Sequence, residues 1–466
     1  MASEKITLKE KIGYGFGDAA SSMFWKLFSM YLMFFYTDIF GISAVVVGTM
    51  FLVTRIWDAA FDPFVGILAD RTETKWGKFR PYLLWVMVPF GIMGVITFST
   101  PDFGMTGKII YAYITYSLMM MVYSLINVPY ASLMGVMSSD GKERTSLATF
   151  RFIFAFGGSL LVLALAKPLS DIFSNMGGGA VNLQFGWQMA TVVFAIIAII
   201  FFWFTFSWTR ERVKPITEKT SLKHDLKDLW VNRPWFILLG AGIASIFFNS
   251  IRDGAAMYYF TYYIPKQEAF QMTLFGSKID SISSFYFVLG QAANIVGVVL
   301  AIPVSNWMGK KNTFLSAMLL ATVFSIFFYF IDRNNTTLIF AMQFLISICA
   351  GITFPLIWSM YADAADYSEW KTKRRATGLV FSASSMSQKF GWTIGGALVG
   401  WLLGFYGFQA NVAQTETAQN GILMMLSFYP AIGTLLGAGF MLIYPLSEKK
   451  MEQISGDLTA LRVKND

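Results

Sequence analysis

TRERVKPITEKTSLKHDLKDLWVNRP, residues 209–234, is the longest polar interruption in the chain. Apolar runs lie on both sides of it, each long enough for the about 20 residues a helix needs to cross a hydrocarbon core. Six runs precede it, at 16–37, 44–68, 80–100, 109–136, 147–169 and 186–208. Six follow, at 235–262, 282–307, 313–331, 337–362, 377–404 and 422–445. Tilt accommodates the longer ones. The pattern predicts an all-α membrane protein of twelve transmembrane helices. Residues 1–208 form one six-helix bundle, 209–234 a linker, 235–446 a second bundle and 447–466 a tail.

Two bundles joined by a charged linker is the plan of the major facilitator superfamily fold. Composition agrees: 55% of residues are hydrophobic and 14% charged, against about 25% charged in soluble domains. A soluble enzyme is excluded. The single cysteine, Cys349, rules out an intramolecular disulfide and a cysteine-based metal cluster. The single histidine, His224, lies in the linker, so proton handling inside the membrane cannot rest on histidine. The net charge of +8 reads as cytoplasmic loop bias rather than as a nucleic-acid footprint. Lys and Arg crowd the side of the N-terminus and linker, and only Lys108, Lys167, Lys266, Lys278 and Arg333 fall opposite. Both termini are therefore expected in the cytoplasm. MASEKITLKEK shows no cleavable signal pattern. No G-x-x-x-x-G-K-[ST] loop is present and the linker holds no catalytic cluster, so neither a pump nor a membrane enzyme is expected. The expected partners are a small solute and the lipid bilayer, with no cofactor or structural metal and a monomeric chain.

Charges inside the spans carry the functional reading, because each costs at least about 2.5–3.5 kcal/mol near the bilayer centre. RIWDAAFDP, residues 55–63, places Arg55, Asp58 and Asp62 at i, i+3 and i+7, on one helical face. Two carboxylates one turn apart repel unless a cation lies between them. A coupling-ion site has that requirement; a structural pair of Arg55 with one aspartate is the plainer alternative. Asp18 opens the first span in GYGFGDAASSMFWK, where Gly13, Gly15 and Gly17 permit close helix packing. Lys26, two turns on, is too deep to snorkel easily. Arg151 opens the fifth span, and Arg252 with Asp253 lies well inside the seventh. SASSMSQKFGWTIGG clusters Ser384, Ser385, Gln388 and Lys389 in mid-span with no adjacent acid. A lysine there needs a carboxylate from another helix or from the substrate. Trp358 and Tyr361 are candidates for stacking on a sugar ring, although core packing explains most aromatics in such a chain.

YGFGD, YLMFFYTDIFGIS, RIWDAAFDP, RTETKWGKFRP, INVPYASL, ERTSLATFR and ADYSEWKTKRRATG occur in that order. Together they resemble the glycoside–pentoside–hexuronide:cation symporter family over nearly the whole chain. The resemblance implies sugar uptake coupled to H+ or Na+. It puts the cation site on Asp58 and Asp62, with a hydroxyl ligand at Ser124. Phe61 stands where a member of the family carries an asparagine, and the lost oxygen favours H+, since hard cations want several oxygens. The family's sugar-binding aspartates fall at Ser22 and Asn127, and its tryptophan four residues on at Ala131. Its pocket arginine falls at Arg151 and its eleventh-span lysine at Lys389.

The resemblance also marks ADRTETKWGKFRP as a cytoplasmic gating loop, with ADYSEWKTKRR as its counterpart in the second half. Asp70, Arg71 and Arg80 could then pair with Asp363, Asp366, Glu369 and Arg374 across the bundles and break on opening. The expected substrate-binding set is Asp18, Ser22, Lys26, Asn127, Arg151, Trp358, Ser385, Gln388 and Lys389. A surplus of basic residues in the spans suits a uronide, and structural use of Arg55 and Arg252 would leave a neutral glycoside. An efflux carrier or a transporter-like sugar sensor is the alternative on the same fold.

Overall fold

The computed structural model describes residues 6–138, 141–176, 181–212, 232–265, 270–274, 277–372 and 377–465. The helices are α1 (Leu8–Leu27), α2 (Ala44–Arg71), α3 (Arg80–Thr97), α4 (Met105–Met137), α5 (Gly141–Asn175) and α6 (Leu183–Trp208). After the linker come α7 (Arg233–Tyr258), α8 (Ile282–Met308), α9 (Lys310–Phe328), α10 (Thr336–Thr372) and α11 (Thr377–Phe405). The last are α12 (Glu416–Leu426), α13 (Phe428–Leu442) and α14 (Glu448–Asn465). The antiparallel hairpin of β1 (Gln271–Leu274) and β2 (Ser277–Asp280) precedes α8. Ten spans are long and apolar enough to cross a membrane among the described residues. The protein is an integral membrane protein.

Local chemistry sets the ends of these helices. Thr7 caps α1, accepting from the Glu10 amide, while the Glu10 carboxylate takes the Thr7 amide at 2.9 Å. This reciprocal box satisfies donors that a helix start leaves orphaned. π-helical turns at Phe28–Leu32 and Phe35–Ile39 continue α1, and Tyr259–Tyr263 continues α7. The same irregularity thus ends the first span of each half, and π turns often mark functional positions.

Two of the departures from the expected spans have a clear local cause. The last span starts earlier, at Glu416 behind the Thr415 cap, and breaks at Ser427, where φ is −123° and ψ −86°. Pro430 explains the break: it has no N–H for the Leu426 carbonyl and its ring clashes there. The expected loop ADYSEWKT is instead the end of α10. Tyr361, Ala364, Ala365 and Ser368 recur at helical spacing and are buried, so packing carries the helix past the apolar run.

Cα packing separates the chain into two compact units. One comprises Met1–Thr217, Lys266–Val288 and Gly400–Ala413; the other comprises Glu218–Pro265, Leu289–Val399 and Gln414–Asp466. In the first unit α1 packs on α5 and α6, and α3 on α4 and α6. In the second, α7 and α9 both pack on α13, and α9 also packs on α10. First with sixth, third with sixth and third with fourth is one scheme used twice, as expected of internal repeats.

Within lipid, association depends on close fit rather than on a hydrophobic drive. A Cβ added at Gly158 would lie 2.4 Å from the Ala19 carbonyl oxygen, so α5 approaches α1 at backbone distance. Phe16 fills the seam, meeting Phe154, Phe201 and Phe204 at 4.7–5.5 Å between ring centroids. In the second unit Trp235, Phe314, Met318, Met360 and Tyr361 belong to one buried core. α2 shows how the apolar exterior and polar interior divide. Ile56 is 61% and Trp57 56% exposed, whereas Asp58 is 3% exposed.

Candidate functional site

The first-unit site is built on α1, α2, α4 and α5. Ser124 of α4 meets both α2 aspartates: its Oγ lies 2.9 Å from Asp58 Oδ1 and 2.6 Å from Asp62 Oδ1. Arg55 Nη1 lies 3.4 Å from Asp58 Oδ2, and its guanidinium sits 4.5 Å from the Trp25 ring centroid. The expected α2 face is therefore assembled, and Ser124 joins it across the helix interface. A serine hydroxyl has one hydrogen and cannot donate to two carboxylates at full strength. With both aspartates ionised, one of the two short contacts would set lone pair against lone pair. One positive charge, a proton on a carboxyl or a small cation, resolves it. Phe61 turns to Phe64, with ring centroids 5.7 Å apart, and has no oxygen to offer.

One turn along α4, Asn127 Oδ1 accepts the Ser21 hydroxyl at 3.0 Å. The Asn127 amide nitrogen is buried, with the Tyr123 hydroxyl as its neighbour. Asp18 Oδ2 receives Arg151 Nε at 2.9 Å. The Arg151 guanidinium lies 5.5 Å from the Tyr130 ring centroid. Tyr130 stacks on Tyr14 at 4.8 Å and donates its hydroxyl to the Tyr14 carbonyl oxygen at 2.7 Å.

These contacts show what the sequence reading missed. Tyr14, Asp18, Ser21 and Trp25 form one stripe of α1 at i, i+4, i+7 and i+11. They reach Tyr130, Arg151, Asn127 and Arg55 respectively. The expected residues Ser22 and Lys26 are each one position round from that stripe and are half-buried. Helical steps from Asp18 reach Ser21 and Ser22 alike, so spacing alone does not choose between them.

Gln388 and Lys389 are half-buried on α11, and the Lys389 carbonyl accepts the Thr393 hydroxyl at 2.7 Å. The Ser385 side chain lies outside the described residues. Trp358 packs against the second-unit core, and Tyr361 is buried with its hydroxyl 3.2 Å from the Leu238 carbonyl oxygen. Arg252 is buried, donating to the Leu426 carbonyl and, at 2.7 Å, to Gln343 Oε1. It serves the carbonyl that Pro430 leaves without a partner.

Among the gating candidates, Arg80 Nη2 donates to the Phe206 carbonyl at 2.6 Å. The loop it ends is clasped by Glu211, which accepts the backbone N–H groups of Lys78, Phe79 and Arg80 at 2.8–2.9 Å. Glu211 was not singled out from the sequence, since nothing in the linker's charge pattern distinguishes it. Asp363 binds Lys310 Nζ at 2.7 Å, and Asp366 and Glu369 are half-buried. Arg71 is exposed; the Asp70 side chain and Arg374 lie outside the described residues.

Residues 13–448 match the profile of a family described as MFS/sugar transport protein. The inner membrane symporter YicJ of Escherichia coli strain K12 is 39% identical over 439 residues, spanning 94% of this chain and 92% of that protein. The isoprimeverose transporter of Lactiplantibacillus pentosus is 37% identical over 449 residues, spanning 95% and 90%. Among solved structures, an inward-facing, unoccupied bacterial homologue of the human lysosomal transporter Spinster aligns with a TM-score of 0.67. It covers 96% of this chain and 97% of its own at 12% identity, a likeness of fold alone.

Proposed function

The chain belongs to the MFS/sugar transport protein family, in its glycoside–pentoside–hexuronide:cation symporter branch, and from that premise we propose how it works. It is a sugar:cation symporter of the cytoplasmic membrane with both termini inside, acting as a monomer of two six-helix bundles. The coupling ion is H+, and it enters between Asp58 and Asp62. The observation that carries this reading is the single Ser124 hydroxyl held within 2.9 Å of both carboxylates.

In this reading the ion and the sugar meet through α4. A charge at Asp58 and Asp62 fixes the direction of the Ser124 hydroxyl. Asn127, three residues on, presents its amide nitrogen to a sugar hydroxyl, beside Asp18 and Arg151. Ser22, Lys26, Trp358, Ser385, Gln388 and Lys389 complete the proposed substrate set. With both ligands bound the polar groups are satisfied, and the change to the other facing state costs less. Asp70, Arg71 and Arg80, with Asp363, Asp366, Glu369 and Arg374, are proposed to govern the cytoplasmic side of that change.

The reading is tested by reconstituting the chain in proteoliposomes and imposing a pH gradient or a Na+ gradient. Isoprimeverose and a panel of other neutral and uronic glycosides serve as probes. Accumulation driven by the pH gradient, lost in Asp58→Asn and Asp62→Asn, is expected. Accumulation driven by Na+ alone overturns the ion assignment. Continued concentration of sugar by either variant overturns the site.

A further inference from the structure

The second unit holds an open groove of about 570 Å3 at the helix ends that the charge bias assigns to the outer side. Its walls come from the π turn after α7, the α9–α10 loop and the start of α12, and include none of the site residues named above. That volume falls in the range of about 300–1,000 Å3 that holds small ligands. Leu423, 5% exposed, also lines it.

Two tyrosines line it and both are held in place. Tyr263 stacks on Tyr259, with centroids 5.2 Å apart and planes within 20°. Tyr329 sits edge-on to Phe428 at 5.0 Å and donates its hydroxyl to Asn420 Oδ1 at 3.0 Å. Rings pinned this way lose little freedom when a ligand lies against them. Asp332 is occupied in its own turn, accepting the Asn334 amide at 2.8 Å. Arg333 and Glu416 line the same groove and, among the described residues, have neither a hydrogen-bond nor an ion-pair partner. The groove therefore offers two aromatic side chains for a sugar ring, with solvent-exposed donors and acceptors for its hydroxyls. Asp332, Arg333 and Glu416 together leave one net negative charge, which opposes a carboxylate ligand.

Building on the symporter reading, we propose that this groove is an outer docking site for the substrate, and that it selects neutral glycosides over uronides. Sugar captured here leaves for the central site, so the docking site sets capture at low concentration without touching the coupling groups.

The experiment places one reporter thiol in the groove, Gln419→Cys in a Cys349→Ser background. Intact cells are labelled with a membrane-impermeant maleimide, with or without isoprimeverose, methyl β-xyloside, cellobiose or methyl β-glucuronide. At least one neutral glycoside should slow labelling several-fold while the glucuronide does not. Tyr263→Ala or Arg333→Gln should raise the protecting concentration by about tenfold, as truncating an anchoring contact does. Protection should persist in Asn127→Leu. Absence of protection by every neutral glycoside, equal protection by the glucuronide, or loss of protection in Asn127→Leu overturns the proposal. So does labelling that requires inverted membranes. Counterflow of the same sugars in proteoliposomes separates the two readings. Protection without counterflow refutes the transport reading, and counterflow without protection refutes the docking site.

Discussion

Arg151 Nε lies 2.9 Å from Asp18 Oδ2, so the helices α1 and α5 exchange opposite charges inside the first unit. The pair decides how much of the chain's positive surplus is available to an anionic sugar. A guanidinium already matched by a carboxylate has little net charge to give. Removing one partner leaves the other uncompensated in a poorly solvated place. Asp18→Asn and Arg151→Gln are each expected to lower thermal stability in detergent micelles, and the double variant to recover part of the loss. The coupling should fall in the range of about 0.5–3 kcal/mol found for residues in contact. Strictly additive losses would show that the pair is incidental.

Glu10 gives a pH signature outside the membrane spans. Burial pushes its carboxyl up, but hydrogen bonds from the Thr7 amide, Arg212 and the Thr7 hydroxyl outweigh this and hold it below its ordinary value. Arg212 Nη2 is 2.7 Å away. A carboxyl lowered on folding contributes stability that is complete above its unfolded value, and the contribution is lost as pH falls through the folded value. The melting temperature should therefore decline as pH drops below about 4.5. Glu10→Gln should flatten the onset of that decline and lie lower at neutral pH. Parallel acid limbs for the two proteins would refute the assignment.

Arg252 holds the broken last span. Pro430 deprives the Leu426 carbonyl of its helical donor, and Arg252 supplies one from α7 while its other arm binds Gln343 on α10. Hydrogen bonds from a charged donor contribute about 1.5–3 kcal/mol each. Arg252→Met should lower the melting temperature by several degrees and slow transport, and Arg252→Lys should recover only part, since an ammonium lacks the planar fork. Full activity and stability in Arg252→Met would show that the break holds itself.

The fold was legible because span length and apolarity are properties of single segments. Asp58, Asp62 and Ser124 were legible for a mixed reason: i, i+3, i+7 spacing grouped the charges of α2, and family likeness supplied Ser124 from another helix. Ser21 and Glu211 were not legible. Ser21 acquires meaning only from the rotation of α1 against α4, which set Ser21 rather than Ser22 opposite Asn127. Glu211 acquires it from the exposed N–H groups at the start of α3, a backbone feature with no residue signature. The break at Ser427 lay in plain view in SFYP, but apolarity on both sides concealed it.

Ser124 should behave as a switch for coupling. Ser124→Thr keeps the hydroxyl and is expected to keep pH-driven accumulation. Ser124→Ala leaves Asp58 and Asp62 without their shared donor, and accumulation should fall at least about tenfold, the effect of losing roughly 1.4 kcal/mol. Counterflow, which needs no net ion movement, should be less affected. Equal loss in both assays would mean that Ser124 supports the helix interface and not the ion.

Phe61 offers the sharpest test of ion choice, because its replacement adds function instead of removing it. Phe61 lies between Asp58 and Asp62 in the sequence of α2, and its ring faces Phe64 at 5.7 Å. Two carboxylates and one hydroxyl suffice for a proton, whereas a hard metal cation needs more oxygen ligands in reach. Phe61→Asn adds an amide oxygen one residue before Asp62. The variant is expected to acquire Na+-stimulated uptake while retaining pH-driven uptake, measured as the ratio of initial rates with and without Na+. Phe61→Leu controls for lost aromatic packing and should gain no Na+ response. If Phe61→Asn stays indifferent to Na+, the missing oxygen is not what excludes the metal ion. If the unaltered chain already responds to Na+, the proton assignment itself falls.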